Sequence, residues 1–219
     1  ILGDDLYIYS ASEPAIWGSE RQFFSAPRID DLMCAWAAIT ALSETGNPSS
    51  IAMTALFSSE ETGSGSVSGA LSDFLASIIS RISSSLGMDD EEKAIAIASS
   101  FMLSADNGHA VHPAHIDKAD PENHPVLNGG VLIKYSAQNK YMTDGETGAY
   151  VKMLCSDNGI PYQVFHNHSD IPGGSTLGNL SAEKISIRGA DIGAAQLAMH
   201  SPYETAGVRD SEYLYRLFK

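Results

Sequence analysis

Four short polar segments carry residue types that could perform chemistry, and each lies where an apolar stretch ends or a helix begins. The residues concerned are Asp30, the adjacent pair Glu60 and Glu61, Asp106 and His200. Ligands of open α/β sheets collect outside the carboxyl ends of the strands. If these segments converge in the fold, they supply carboxylates and an imidazole, which suit one or two divalent transition metals, zinc above all.

The adjacent acids Glu60 and Glu61 would divide two tasks in such a site. One carboxylate binds metal while its neighbour faces the metal-bound water, because a general base must lie within hydrogen-bond reach of the water that it deprotonates. A metal lowers the pKa of that water toward neutrality. The alternative is a solvated loop with two surface acids, which the usual exposure of charged residues favours.

Other motifs are weaker or absent. The segment 106–125 is rich in histidine. These histidines could form a zinc cluster, or they could serve as ordinary hydrogen-bonding residues. His109 or His112 could also face a substrate. The Gly/Ser stretch after Glu61 is more simply a turn into a helix than a phosphate cradle. The sequence contains no G-x-S-x-G elbow, no P-loop, no complete G-x-G-x-x-G and no H-E-x-x-H.

The composition excludes several classes of protein. The sequence is 43% apolar and 18% charged, which is the composition of a globular protein. Its 219 residues are enough for one sizeable core, or for a large domain and a fragment of another. Thirteen basic against 27 acidic residues give a net charge of −14, which argues against nucleic acid or an anionic membrane as the main partner. Two cysteines cannot build a disulfide framework, which favours an intracellular protein. No apolar run approaches a membrane helix, and no signal peptide is visible.

Hydrophobic periodicity predicts strands that alternate with helices. The expected strands are 5–10, 51–57, 101–105, 130–135, 161–166 and 183–190, and the expected helices are 30–45, 69–86, 89–99, 145–157 and 210–218. This alternation favours an α/β layer fold.

Several stretches across nearly the whole chain match one known family in order. They are SAPRIDDL (25–32), SEETGS (59–64), SADNGHAVHP (104–113), VLIK (131–134), KY (140–141), GSTLG (174–178), DIG (191–193) and QLAMHS (196–201). With these stretches the chain resembles the aspartyl aminopeptidase family of metallopeptidases. The resemblance implies an α/β fold with a mixed central sheet flanked by helices in three layers, here as a partial domain.

The resemblance also implies a role for individual residues in a co-catalytic two-metal site, usually zinc, with manganese or cobalt as alternatives. It implies that Asp30 bridges both metals, that Glu61 and His200 hold the first metal and Asp106 the second, that Glu60 is the general base, and that His109, Lys134 and Tyr141 line the substrate pocket.

The chain departs from the family pattern at three places. The family's first metal ligand, a His in an upstream His-x-Asp motif, has no counterpart here, and the chain starts at Ile1. We therefore expect residues 1–20 to be the end of an inserted dimerisation domain or its linker, and residues 21–219 to be the C-terminal part of the catalytic domain. Asp31 stands where the family usually has Asn, and residues 168–170 differ from its Arg-Asn-Asp.

The leading hypothesis is a metal-dependent aminopeptidase that removes N-terminal residues from peptides; the resemblance implies an acidic first residue, Asp or Glu, as the family's best-known preference, while some members prefer neutral residues. One alternative is an inert fragment that serves only folding or assembly, because the upstream part with the family's first ligand has no counterpart here. The other is a related two-metal peptidase of different specificity. We expect the isolated chain to bind metal poorly and to show little or no peptidase activity. An upstream His-x-Asp motif in the reading frame would favour the enzyme. The resemblance implies a homo-oligomer, often a dodecamer in this family, in the cytoplasm, or in the vacuole of a eukaryote.

Overall fold

The computed structural model describes residues 2–46 and 48–219, and within them strands alternate with helices. The strands are β1 (Ala15–Trp17), β2 (Phe23–Ala26), β3 (Phe101–Ala105), β4 (Gly108–His109), β5 (Val131–Lys134), β6 (Tyr162–Phe165), β7 (Arg188–Gly193), β8 (Ala195–Leu197) and β9 (Glu204–Gly207). The helices are α1 (Ile29–Glu44), α2 (Phe74–Ser85), α3 (Asp90–Ala98), α4 (Gly145–Asp157), α5 (Leu177–Ile185) and α6 (Val208–Phe218). The fold is α/β, as the sequence predicts.

The strands form two mixed sheets that continue into each other. One sheet has the order β1-β2-β9-β8-β4, and the other has the order β3-β7-β5-β6. Ala194 separates β7 from β8, and the N–H groups of Asp106 and Gly108 donate to the carbonyls of Ile192 and Ala194 at 3.0 and 2.9 Å. The chain therefore crosses between the sheets beside Asp106, where the expected single sheet divides in two.

Helices cover both faces of the four-stranded sheet. Val131, Ile133 and Ile192 belong to the main core, which they share with buried residues of α1, α4 and α6. On the other face, Gly178 of α5 lies so close to Ser104 that a Cβ on the glycine would be 2.6 Å from the serine Cβ. This is the three-layer arrangement that the resemblance implies.

Long local patterns predicted most elements well. The expected helices at 30–45, 89–99, 145–157 and 210–218 correspond to α1, α3, α4 and α6, and the expected strands at 101–105, 130–135 and 161–166 correspond to β3, β5 and β6. The helix expected at 69–86 begins only at Phe74. The segment 183–190 is wrong as a single strand, because it spans the end of α5 and the beginning of β7.

Two predicted strands, 5–10 and 51–57, have no regular structure. A strand requires hydrogen bonds to a neighbouring strand, and no strand in the described ranges pairs with either segment. Tyr7 and Ile8 are fully or largely exposed. Apolar alternation is therefore insufficient here to form a strand without a partner.

Both cysteines lie in the interior. Cys34 and Cys155 are buried and free, so they pack as part of the core and form no disulfide with each other. Among the helices of the described residues, none has both the length and the apolar character needed to cross a membrane.

The variant Asp210→Asn is expected to destabilise the fold. The Asp210 side chain is buried, and its Oδ2 and Oδ1 accept hydrogen bonds from the N–H groups of Asn128 at 2.6 Å and Gly130 at 3.0 Å. An amide offers one acceptor oxygen, so one buried N–H would lose its partner, which costs about 1–3 kcal/mol. Urea denaturation measures the loss. The control is Asp170→Asn on an exposed loop, whose free energy of unfolding should stay within about 0.5 kcal/mol of that of the parent. Equal losses of stability in the two variants would contradict this account.

Candidate metal centre

Asp30 lies at the junction between β2 and α1 with its side chain only 3% exposed. Asp30 and Asp31 fall within the bounds of α1, but their backbone angles are not helical. Arg28, just before them, has a left-handed φ of 57°, which is uncommon for a residue with a side chain. The Oδ1 atom of Asp30 is buried and has no hydrogen-bond partner among the described residues. A buried carboxylate oxygen of this kind calls for a donor or a cation.

A tight loop presents the two adjacent acids. They begin a single 3₁₀ turn (Glu60–Thr62) that lies between Ser59 and Gly63, whose φ angles of 63° and 91° are left-handed. The N–H of Ser64 donates to the carbonyl of Ser59 at 2.8 Å and closes the loop. The Gly/Ser stretch is therefore a turn, as the simpler interpretation of the sequence predicts.

His200 contacts two of the acids. It follows β8 with a left-handed φ of 64°, and its side chain is 60% exposed. Its Nε2 lies 2.9 Å from Oε2 of Glu61 and 3.3 Å from Oδ2 of Asp30. Ligand atoms of these three residues lie within 4.8 Å of one another, so they form a group that could hold one ion.

A second group of ligand atoms also includes Asp30. Asp30, Asp31 and Asp106 each offer a carboxylate oxygen within 4.8 Å of the others. The Oδ1 atom of Asp31 is buried and, within the described chain, has no partner. Asp30 thus belongs to both groups, as a bridging ligand would. The fold brings together all four predicted metal ligands, Asp30, Glu61, Asp106 and His200, and adds Asp31.

The charge balance of these groups fits a cation. Burial raises the pKa of Asp30 well above its ordinary value, and the charges of Asp106, Asp31 and Glu61 raise it further. Burial also raises the pKa of Asp31. Carboxylates held so close together repel one another unless a proton or a cation neutralises them. Carboxylate oxygens with an imidazole nitrogen are zinc ligands, so the residues fit the predicted metal.

Glu60 lies beside these groups without belonging to either of them. Burial raises the pKa of Glu60, and the charges of Asp106 and Glu61 raise it further. The positive charge of Lys134 acts in the opposite direction. A carboxylate whose pKa is raised toward neutrality is suited to proton transfer at neutral pH.

The Lys134 side chain is turned toward the protein interior. It is 1% exposed, and its Nζ donates to Oδ2 of Asp106 at 2.9 Å and to the carbonyl of Asn107 at 2.7 Å. Burial lowers the pKa of Lys134, but the charge of Asp106 and its hydrogen bond to the ammonium more than offset this and leave the pKa raised. The ammonium is therefore charged and lies behind Asp106, so its predicted contact with substrate stays a prediction.

Tyr141 and His109, the other predicted pocket residues, lie near Lys134 and differ in exposure. The Nζ of Lys134 is 5.5 Å from the centre of the Tyr141 ring, and the tyrosine hydroxyl accepts a hydrogen bond from Asn167 at 3.1 Å. His109 is exposed in β4, yet protein atoms around its ring lower its pKa, as do the charges of His200 and Lys134. Their roles toward substrate also remain predictions.

The acids open onto a largely apolar cleft of about 900 Å³. Residues 51–57 and parts of α1, α2, β3 and α5 line it, together with Asp30, Glu60 and Asp106. The segment that the sequence predicts as a buried strand is thus one wall of this cleft.

Sequence reasoning missed two buried residues that hold the backbone of the site. Glu204 is 2% exposed and accepts hydrogen bonds from the N–H groups of Asp30 and His200. Asn107 is 2% exposed and donates to the carbonyl of Ile29 at 3.3 Å. Asp30 and Ile29 are distant in sequence from Glu204 and Asn107, so no local pattern signals these contacts.

Comparison with known proteins identifies the class that this fold and site define. The pattern of the family described as "Aminopeptidase I zinc metalloprotease (M18)" matches residues 1–219. The chain belongs to the M18 family of aminopeptidases. The description of the family supports a metal cofactor.

Three similar proteins illustrate this membership. A probable M18 family aminopeptidase 2 of Clostridium novyi is 40% identical over 219 residues, which are 100% of this chain and 51% of that protein. A probable aspartyl aminopeptidase of Ricinus communis is 37% identical over 211 residues, 93% of this chain and 43% of that protein. The structure of the yeast mApe1 dodecamer has a TM-score of 0.80 at 28% identity and is matched over 96% of this chain and 48% of that chain. The chain spans about half the length of the curated relatives it matches.

Zinc is expected to raise the melting temperature of the protein, and EDTA to lower it, because a cation neutralises the crowded acids. In EDTA, Asp30 has a raised pKa in the folded state and an ordinary pKa in the unfolded state. Above about pH 4 the unfolded chain has therefore lost the Asp30 proton that the folded chain still holds. Stability should therefore fall as the pH rises, and zinc should offset much of this fall.

The variant Asp30→Asn provides the control for that measurement. It removes both the shared ligand and the titrating group, so it should lose the zinc-dependent rise and part of the pH slope. Differential scanning fluorimetry between about pH 5 and 8 measures both quantities. A parent protein with the same melting temperature in zinc and in EDTA would contradict the metal assignment.

Proposed function

We propose that the complete protein is a metal-dependent aminopeptidase with a co-catalytic site for two divalent ions, usually zinc, with manganese or cobalt as alternatives. The observation that carries this proposal is the shared position of Asp30, whose carboxylate belongs to both groups of ligand atoms. A carboxylate in that position holds two cations close together, as in two-metal peptidases. Membership of the M18 family supports the same function.

The residues of the chain would divide the catalytic work. Glu61 and His200 would hold one ion with Asp30, and Asp106 would hold the other. When bound, the ions supply Lewis-acid polarisation of the scissile carbonyl and a low pKa for water. Glu60 takes a proton from the attacking water at its carboxylate and returns it to the amine of the leaving peptide.

The substrate side of the site supports a preference for an N-terminal Asp or Glu. Lys134 is a fixed positive charge beside Asp106, and it attracts an acidic side chain although its ammonium already has two hydrogen-bond acceptors. The relative from Ricinus communis is named a probable aspartyl aminopeptidase. Tyr141 would contact the scissile carbonyl, and His109 the bound peptide.

The surroundings of the site support further parts of the proposal. The yeast relative mApe1 is a dodecamer, which supports a homo-oligomer here. Two free, buried cysteines support a cytoplasmic location. The paired sheet begins at Ala15, while residues 2–14 form no regular structure, which supports a domain division in the first 20 residues.

The two adjacent acids offer a matched pair of variants for the complete protein. Glu60→Gln should lower turnover by about 10²–10⁴-fold while zinc stays bound, because it removes the group that moves protons. Glu61→Gln should lower zinc content as well, because it replaces a ligand. Zinc per subunit and kcat on an aminoacyl-p-nitroanilide measure the two effects. Near-normal turnover in Glu60→Gln would assign the base elsewhere, and an inactive parent would favour the inert assembly module.

The specificity is tested separately with a panel of aminoacyl-p-nitroanilides. The parent should show a higher kcat/KM with N-terminal Asp and Glu than with Leu or Ala, because Lys134 is a fixed positive charge beside Asp106. A preference for neutral residues would contradict the role of Lys134 and leave the metal site intact.

A further inference from the structure

Glu204 is a buried carboxylate whose two oxygens hold two different parts of the metal centre. It begins β9 and is 2% exposed. Its Oε2 accepts a hydrogen bond from the N–H of Asp30 at 2.9 Å, and its Oε1 accepts one from the N–H of His200 at 2.7 Å. Each oxygen therefore binds the backbone of a residue whose side chain belongs to the group of Asp30, Glu61 and His200.

The sheet explains why one residue reaches both. The strand β9 lies between β2 and β8, and Glu204 is the residue opposite Ala26, the last residue of β2. The chain that leaves β2 leads to Asp30, and the chain that leaves β8 leads to His200. Glu204 thus stands between the two departing segments.

Both departing segments have backbone conformations that cost energy. His200 and Ala198 have left-handed φ angles of 64° and 57°, and Arg28 has one of 57°. Such residues persist where surrounding contacts fix them. The two hydrogen bonds to Glu204 are contacts of this kind, because charge-assisted bonds to a carboxylate are stronger than neutral ones.

We propose that Glu204 is a positioning residue that sets the separation between the Asp30 carboxylate and the His200 imidazole, and thereby the affinity of this group for a divalent ion. The inference rests on the proposed function in that Asp30 and His200 are metal ligands there. A carboxylate is required because the site needs two acceptor oxygens, whereas a glutamine has one oxygen and would turn its NH₂ toward an N–H.

The test is the zinc affinity of Glu204→Gln in the complete protein, measured by competition with a chromogenic chelator. Groups that orient metal ligands are worth about 10–100-fold in affinity. We expect a loss of that size in Glu204→Gln. Asp210→Asn is the matched control, because it makes the same chemical change at a buried carboxylate that holds two backbone N–H groups away from the site.

The control separates positioning from general destabilisation. Both variants should lower the melting temperature in EDTA, but only Glu204→Gln should weaken zinc binding. Equal zinc affinities in the two variants and the parent would overturn the inference while leaving the proposed function in place. A parent that binds no zinc would overturn the proposed function and the inference with it.

A shorter carboxylate keeps the test decisive if Glu204→Gln does not fold. Glu204→Asp retains both acceptor oxygens but withdraws them by one methylene, so at least one of the two hydrogen bonds must lengthen. Zinc affinity should then fall in Glu204→Asp, but by a smaller factor than in Glu204→Gln, for which we expect about 10–100-fold. Parental zinc affinity in Glu204→Asp would overturn the inference.

Discussion

The repulsion among the acids around Asp30 is the interaction on which the other features of the site depend. Three aspartates offer oxygens within 4.8 Å of one another in a chain with a net charge of −14. Such a cluster is unfavourable unless positive charge is brought to it. Lys134 supplies one fixed positive charge at Asp106, and His200 contacts Asp30 and Glu61. The arrangement that we propose to bind ions is thus also one in which we expect the stability of the folded chain to depend on them.

The division between the two sheets provides the space in which these acids meet. The strand β3 ends at Ala105, and Asp106 follows it against the end of β7, where its N–H donates to the carbonyl of Ile192. A Cβ on Gly193 would lie 1.9 Å from the carbonyl oxygen of Asp106, so only glycine permits this approach. Beyond it, Asn107 uses its side chain to join the segments, accepting from the N–H of Ala194 at 3.1 Å. The interruption of the sheet and the placement of a proposed ligand have the same cause.

Sequence reasoning reached the parts of the molecule that local patterns encode. The helix α1 has a long apolar periodicity, and the predicted ligands stand after apolar stretches in segments that a family resemblance supports. The first sheet was missed because its strands are 2–4 residues long, too short for a period to be visible. The segment 51–57 has the composition of a strand but no pairing partner in the described chain. Glu204 carries no signal because its importance arises from contacts between distant segments.

The hydrogen bond from Asp30 to Glu204 has a consequence for the order of folding. It joins residues 174 positions apart. Closing so large a loop costs entropy that is recovered only when non-local strands pair, and such contacts form slowly. Local helices such as α4 need no such closure. We therefore expect a nascent chain to gain its helices early and to bring the acids of the proposed metal centre together among its last steps. Asp30, Glu61 and Asp106 are distant from one another in the sequence, so we expect their mutual repulsion to oppose this late step.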